Sequence, residues 1–151
     1  MVNILNGDDC MPVGPSLRQL HAHKQIHDTG LGLAVNMTDE LIRTYQKGTE
    51  EEVIQEVIAL VDFWDSRVIS HADAEEEADG FYTEAENNNP ELHDKVQQLT
   101  RDHDIMRQVV AKIKTQMENE GFSTQIIDYF RSLIIVNEIH SRDEEAFLLK
   151  D

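Results

Sequence analysis

Cysteine is nearly absent. Cys10 is the only one in 151 residues, so a disulfide framework and cysteine-ligated zinc or iron–sulfur sites are excluded. Proline is scarce, with three in all, and aromatics make up 6%. With long polar–apolar periodic runs between them, that profile favours an all-helical domain. Basic residues are few: 13 stand against 30 acidic ones, for a formal net charge of -17. Such a surface repels phosphate backbones and anionic membranes, which argues against nucleic-acid and membrane partners. It tolerates cations, but acidity alone is the usual solvated coat. No apolar stretch approaches the roughly 20 residues that span a bilayer. No basic segment followed by an apolar run opens the chain, so no signal peptide is expected and a cytoplasmic protein is the default. No Ser-His-Asp nucleophile, phosphate loop or nucleotide fingerprint is visible.

What the chain does have is helical period. Residues 1–15, with Gly14, Pro12 and Pro15, read as a non-helical arm that either folds over one end of the domain or is loosely held. Residues 16–151 read as the domain itself. A first helix is predicted from about Ser16 to Lys47, with Leu20, His23, His27, Gly30 or Leu31, Ala34, Met37, Leu41 and Tyr45 inward. A break near Asn36-Met37-Thr38, with Thr38 as a new cap, is the alternative, and Gly48 is the stop. Thr49-Glu50-Glu51-Glu52 is a capping-box pattern. It opens a second helix whose stripe is Val53, Val57, Leu60, Trp64, Val68, His71, Glu75, Ala78 and Tyr82. Asn87-Asn88-Asn89-Pro90 is a turn, with Asn89 as cap and Pro90 in the first helical position. The third stripe is Leu92, Val96, Leu99, His103, Met106, Val110, Ile113 and Met117, ended by Gly121. Ser123 caps a fourth helix with Ile126, Tyr129, Leu133, Val136, His140, Glu144 and Phe147 inward. Four long helices joined by short turns predict an all-α, up-down-up-down four-helix bundle.

The informative residues are the polar ones on those inner stripes. His71-Ala72-Asp73-Ala74-Glu75-Glu76 and His140-Ser141-Arg142-Asp143-Glu144-Glu145 share one form: a His, three residues, then two Glu. Positions four apart on a helix are about 40° apart around the axis and about 6 Å along it, so each His and its first Glu can reach one metal from one face. Carboxylates are almost never buried without a partner. Folding the chain at its predicted turns sets the His71/Glu75 pair level with His23, His103 and His140, so all four helices bring ligand-type side chains to one layer. Imidazoles and carboxylates without thiolate suit iron, manganese or zinc. A single zinc would not use six protein ligands, and two carboxylates from opposite helices can each bridge two ions. The natural reading is a di-iron centre with His23, His71, His103 and His140 as terminal ligands and Glu75 and Glu144 as bridges. His27, one turn from His23, is its rival, otherwise an exposed or outer-shell His. Glu76 and Glu145 read as outward charges, although Glu145 could compete with Glu144. Tyr82, Tyr129, Trp64 and Phe147 read as packing around the site, and His21 and His93 as solvated.

At these residues the chain resembles the hemerythrin-like, or HHE cation-binding, domain. The matching features are Leu20-His21-Ala22-His23-Lys24-Gln25-Ile26, His71-x-x-x-Glu75-Glu76, Asp102-His103 and His140-x-x-x-Glu144-Glu145, spread over residues 16–151. The resemblance implies a non-haem centre of two iron ions, for which an oxo or hydroxo bridge is an option, with affinity for dioxygen, peroxide or nitric oxide. Ferritin-like bundles use Glu-x-x-His instead, a reversed order at a different spacing. Two departures from the oxygen carriers stand out. Their second His on the third helix is Arg107 here, and their Asp five residues after the last His is replaced by Glu144 at four and Glu145 at five. One imidazole fewer than in the carriers, unless His27 or His21 supplies it, leans toward sensing, redox reactivity or iron handling. The expectation is therefore a protein that binds or senses a small diatomic or peroxide. The alternatives are an oxidoreductase that decomposes peroxide or nitric oxide, and iron storage or donation. With no output domain in view, signalling would need a separate protein partner.

Overall fold

The computed structural model describes residues 20–149. The expected arm at 1–15, Cys10 and the predicted helix start at Ser16 lie outside the described residues. Among the described residues there is no strand. The helices are α1 (Leu20–Lys47), α2 (Glu50–Phe63), α3 (Ser70–Glu75), α4 (Phe81–Asn88), α5 (His93–Asn119) and α6 (Thr124–Phe147). A π-helical turn, Trp64–Ile69, joins α2 to α3, and a 3-10 turn, Pro90–Leu92, leads into α5. The long helices pack together: α1 lies along α6 and α2, and α6 along α5. None of the described helices is long and apolar enough to cross a membrane.

The local signals explain most boundaries. α1 runs unbroken through 36–38, because Thr38 Oγ1 donates to the Ala34 carbonyl (2.7 Å) instead of capping a new helix. The Thr49 side chain accepts from Glu52 N while the Glu52 carboxylate accepts from Thr49 N, completing the capping box. Such a cap stabilises a helix by ~1 kcal/mol. The Asn89 side chain accepts from Glu91 N and Pro90 follows it. Gly121 takes φ +83, a left-handed conformation that favours glycine. Ser123 stands at the N-cap of α6, but its hydroxyl accepts from Gln116 Nε2 (2.7 Å) and does not cap the helix.

The second predicted helix is corrected in two places. Its turns widen between Trp64 and Ile69, where Val68 and Ile69 are both half-buried, and the inward stripe resumes at His71, Ala72 and Glu75. A wide turn of this kind is often found at functional sites. The helix then ends at Glu75 and does not reach Tyr82. The chain turns at 76–80, leaving Ala78 exposed, and restarts as α4. Gly80 makes that turn feasible: a Cβ there would lie 2.5 Å from the Ala74 carbonyl and 2.8 Å from that of Glu75. Two stripe-end aromatics also differ from expectation. Tyr45 is 47% exposed and rests on Phe122, and Phe147 is 51% exposed beneath Lys95 Nζ. Each closes its stripe near a helix end, where less of the fold remains to cover it.

Two apolar clusters result. The larger includes Leu41, Val57, Leu60, Trp64, Val110, Ile113, Ile126, Phe130 and Leu133; burying one such side chain stabilises by about 1.5–3 kcal/mol. The smaller gathers Phe81, Tyr82, Val96, Leu99, Leu148 and Leu149. Along α5, Val96 and Leu99 of the smaller cluster come first, then His103, then Met106 and Val110 of the larger. On α1, Leu20 beside the smaller cluster precedes His23, and Ala34 and Leu41 of the larger follow; at α6 the order is reversed, with Leu133 before His140 and Glu144 and with Leu148 and Leu149 after them. The buried polar layer is therefore sealed above and below by hydrocarbon.

Candidate metal centre

His23, Glu75, His103, His140 and Glu144 are buried, with Glu75 and Glu144 fully so, and His71 is 18% exposed at its side chain. All six come together, and His27 joins them. The ligand atoms of His23, His27, His71 and Glu144 lie within 4.8 Å of one another, as do those of Glu75, His103, His140 and Glu144. His27 thus stands beside His23, with ring centres 4.4 Å apart. The two are therefore not alternatives at one place: the four-residue step on α1 sets both on one face.

The two glutamates lie between these groups. Glu144 presents Oε1 to His23 Nε2 (2.8 Å) and His27 Nε2 (3.2 Å), and Oε2 to His140 Nε2 (3.4 Å). Glu75 presents Oε2 to His23 Nε2 (3.4 Å) and His71 Nε2 (3.2 Å), and Oε1 to His103 Nε2 (3.4 Å). Each carboxylate turns one oxygen to each group. Despite these short distances, no contact meets hydrogen-bond geometry at Glu75 Oε1, Glu75 Oε2 or Glu144 Oε1 among the described residues. Acceptors and ring nitrogens that are close yet misaligned are converging on common points between them, as ligands of a shared cation do. Buried acceptors left unmatched would otherwise cost about 1–3 kcal/mol each. The donor set therefore fits a metal ion.

The rings are held from behind. His103 Nδ1 donates to Glu76 Oε2 (2.6 Å), His140 Nδ1 to Asp102 Oδ2 (3.0 Å) and His27 Nδ1 to Glu145 Oε2 (2.7 Å). A carboxylate on Nδ1 fixes the tautomer that leaves Nε2 free to ligate. Two of these carboxylates are gripped by arginines. Arg107 Nη2 reaches Glu76 Oε2 (3.0 Å) and also Asp73. Arg142 Nη1 reaches Glu145 Oε1 (2.8 Å), with Nη2 on Asp28. So Glu76 and Glu145 are not the outward charges their sequence positions imply. Each is the second member of an Arg–Glu–His chain, in which Arg107 and Arg142 act at one remove. The signal was present in the repeated Glu-Glu after each His, whose second Glu lies one residue further round its helix, toward a neighbouring imidazole.

Electrostatics follow from this crowding. Burial works to lower the His23 pKa, but the Glu144 and Glu75 carboxylates outweigh it and raise it to about 10. His140 is also lowered by burial and raised on balance to about 10, chiefly by Asp102 and Glu144. Burial and mutual repulsion would raise Glu75, yet His71, His103 and His23 hold it below the usual carboxylate range. Glu144 is held well below by His140, His23 and His27 in the face of its own burial. The two carboxylates thus favour the charged form of the His23 and His140 rings beside them.

Tyr82, expected as packing, does more. Its hydroxyl donates to Glu144 Oε2 and lies 3.4 Å from both His103 Nε2 and His140 Nε2. Trp64 stays within the apolar core and Tyr129 packs against it. His21 is exposed, and His93 pairs with Glu86 at the surface. A cavity of about 50 Å³ opens onto the centre, lined by His27, His71, Glu75, His103 and His140 together with Ile26, Gly30, Arg67, Val68, Met106 and Asn137. No protein-family model matches this chain, and neither a curated protein nor a solved structure matches it.

Proposed function

We propose that the chain is a hemerythrin-like, up-down-up-down four-helix bundle that holds two non-haem irons and binds or senses a small diatomic or oxidant such as dioxygen, nitric oxide or peroxide. The observation that carries this reading is the pair of His-rich groups sharing Glu144, with Glu75 turned toward both. On this reading His23, His27, His71, His103 and His140 are terminal ligands and the two glutamates bridge. Iron rather than zinc is favoured by seven His and Glu side chains divided over two positions. Bound there, a pair of irons would supply two adjacent redox-active Lewis acids. The chain's own part is to fix ring orientation through Glu76, Asp102 and Glu145, to exclude bulk water with the two apolar clusters, and to limit ligand size. A cavity of about 50 Å³ has room for only a few water-sized molecules, which suits a diatomic and not an organic substrate.

A second reading, an oxidoreductase that decomposes peroxide or nitric oxide, is favoured by Asn137. The residue is 9% exposed and lines the cavity. An amide at that place can donate to a partly reduced, negatively polarised oxygen.

Elemental analysis after anaerobic ferrous loading, paired with absorption spectra before and after admitting air, tests the assignment. About two irons per chain, and charge-transfer bands that form in air and reverse under vacuum, are expected for reversible binding. Sustained consumption of peroxide or nitric oxide would favour the enzyme, and iron lost readily to a weak chelator would favour storage or donation. Folded protein that takes up no iron would refute the di-iron reading.

A further inference from the structure

We infer that Tyr82 is itself a metal ligand, bound through Oη as the phenolate at the position formed by His103 and His140. The inference rests on the di-iron reading above and adds to it a ligand that the His and Glu pattern does not contain. Ligand atoms at about 2.0–2.2 Å from one ion stand roughly 3 Å from their neighbours. Around the second group the spacings have that size. His103 Nε2 and His140 Nε2 are 3.1 Å apart, His140 Nε2 is 3.4 Å from Glu144 Oε2, and His103 Nε2 is 3.4 Å from Glu75 Oε1. Tyr82 Oη fits the same set: it contacts Glu144 Oε2 and stands 3.4 Å from each ring nitrogen. A phenol that served only as packing would not bring its one polar atom to three ligand atoms at once.

The fold is also bent to deliver it. Had α3 continued, Tyr82 would ride on the same helix as His71. Instead the chain turns at Gly80, where no Cβ fits, and α4 presents the Tyr82 ring stacked on His103 at 5.4 Å with 6° between planes. The ligand count points the same way. The first group has three imidazoles and the second only two; Tyr82 brings the second to the same number of terminal donors. On binding a cation the Oη–H bond breaks and an Oη–metal bond forms with both electrons from oxygen. The proton leaves to solvent and no electron moves. Glu144, released from the phenol, keeps both oxygens for the two metal positions.

The test uses the full-length protein, loaded anaerobically with ferrous iron and then oxidised in air. Iron is counted, and visible absorption and resonance Raman spectra are recorded. A phenolate-to-iron(III) band is expected, with tyrosine ring modes that shift when the protein is made with ring-deuterated tyrosine. Tyr82→Phe, which removes only the hydroxyl, should retain two irons and lose band and modes together. Two irons without phenolate modes, or modes that survive in Tyr82→Phe, overturn the inference and leave the di-iron reading standing. No iron in wild-type protein overturns both. Should Tyr82→Phe fail to fold, phenolate modes that persist in the Tyr45→Phe, Tyr129→Phe double variant assign them to Tyr82, and modes lost there overturn the inference.

Discussion

The two halves of the centre are built alike on the outside and differently on the inside. Behind His27 stand Glu145 and Arg142; behind His103 stand Glu76 and Arg107. At the first position three imidazoles converge, whereas at the second two imidazoles are joined by the Tyr82 hydroxyl. The likeness comes from one sequence device used twice, a His followed four and five residues later by two Glu. The first Glu faces the centre, and the second crosses to steady an imidazole on another helix. The difference comes from whatever the rest of the fold happens to place opposite: a second turn of α1 at one position, the short helix α4 at the other. What is repeated is therefore the scaffold of the site, and what is local is its reactivity.

The comparison breaks most completely at the residue both halves share. Glu144→Gln should reduce metal content after loading and desalting from two ions per chain to at most one. Two tightly held ions in that variant would mean the halves do not depend on a common bridge. His27→Ala should affect one half only: about one ion per chain remains, and the Tyr82-dependent spectrum of the other half is preserved. Loss of both ions would show that the first position must fill before the second.

Acidity acts on both halves together, because His23 and His140 lie one in each. Their folded pKa values of about 10 exceed the ordinary histidine value of 6.5. The stability they contribute to the metal-free protein is therefore full below about pH 6.5 and is lost as pH rises through 10. Glu75 and Glu144, held low, contribute stability that is lost only as pH falls below the ordinary carboxylate range. Denaturant midpoints of metal-free protein should thus decline from pH 6.5 to 10. Metal affinity should rise over the same range, since imidazolium must give up its proton to ligate. A midpoint that climbs with pH would contradict the pairing of these groups.

The smallest effects should separate the outer shells. Glu76→Gln should weaken metal binding about 10–100-fold, at the His103 position and not at the His27 position. Arg107→Gln, one step further out, should do less. Competition with a chelator of known affinity, read separately at the two positions, measures both. Equal weakening of the two positions would show that the outer shells act through the fold as a whole.

Most of the inner His and Glu cluster was legible because burial of a carboxylate is expensive and helical period is regular. His71, Glu75, His140 and Glu144 fell on inward stripes, and only a shared partner makes that tolerable. His27 was legible as an alternative and not as an addition, because sequence spacing gives a face and not a distance. Tyr82 was unreadable in its role. Its position on an uninterrupted helix was assumed, and the turn at Gly80 is set by a contact between one glycine and the carbonyls of Ala74 and Glu75. Glu76 and Glu145 read as outward charges from the sequence, since nothing in a single helix's period says that an imidazole on another helix will stand within 2.7 Å.

Period, capping and the paired His and Glu motifs, all local properties of the chain, determined by themselves that this is a helical protein with a polar layer fit for cations. The meeting of that layer was a tertiary decision: which oxygen of each carboxylate turns to which group, which outer carboxylate grips which ring, and that a phenol completes one position. Those outcomes depend on distances between helices, and such distances are fixed only when the apolar clusters on either side close.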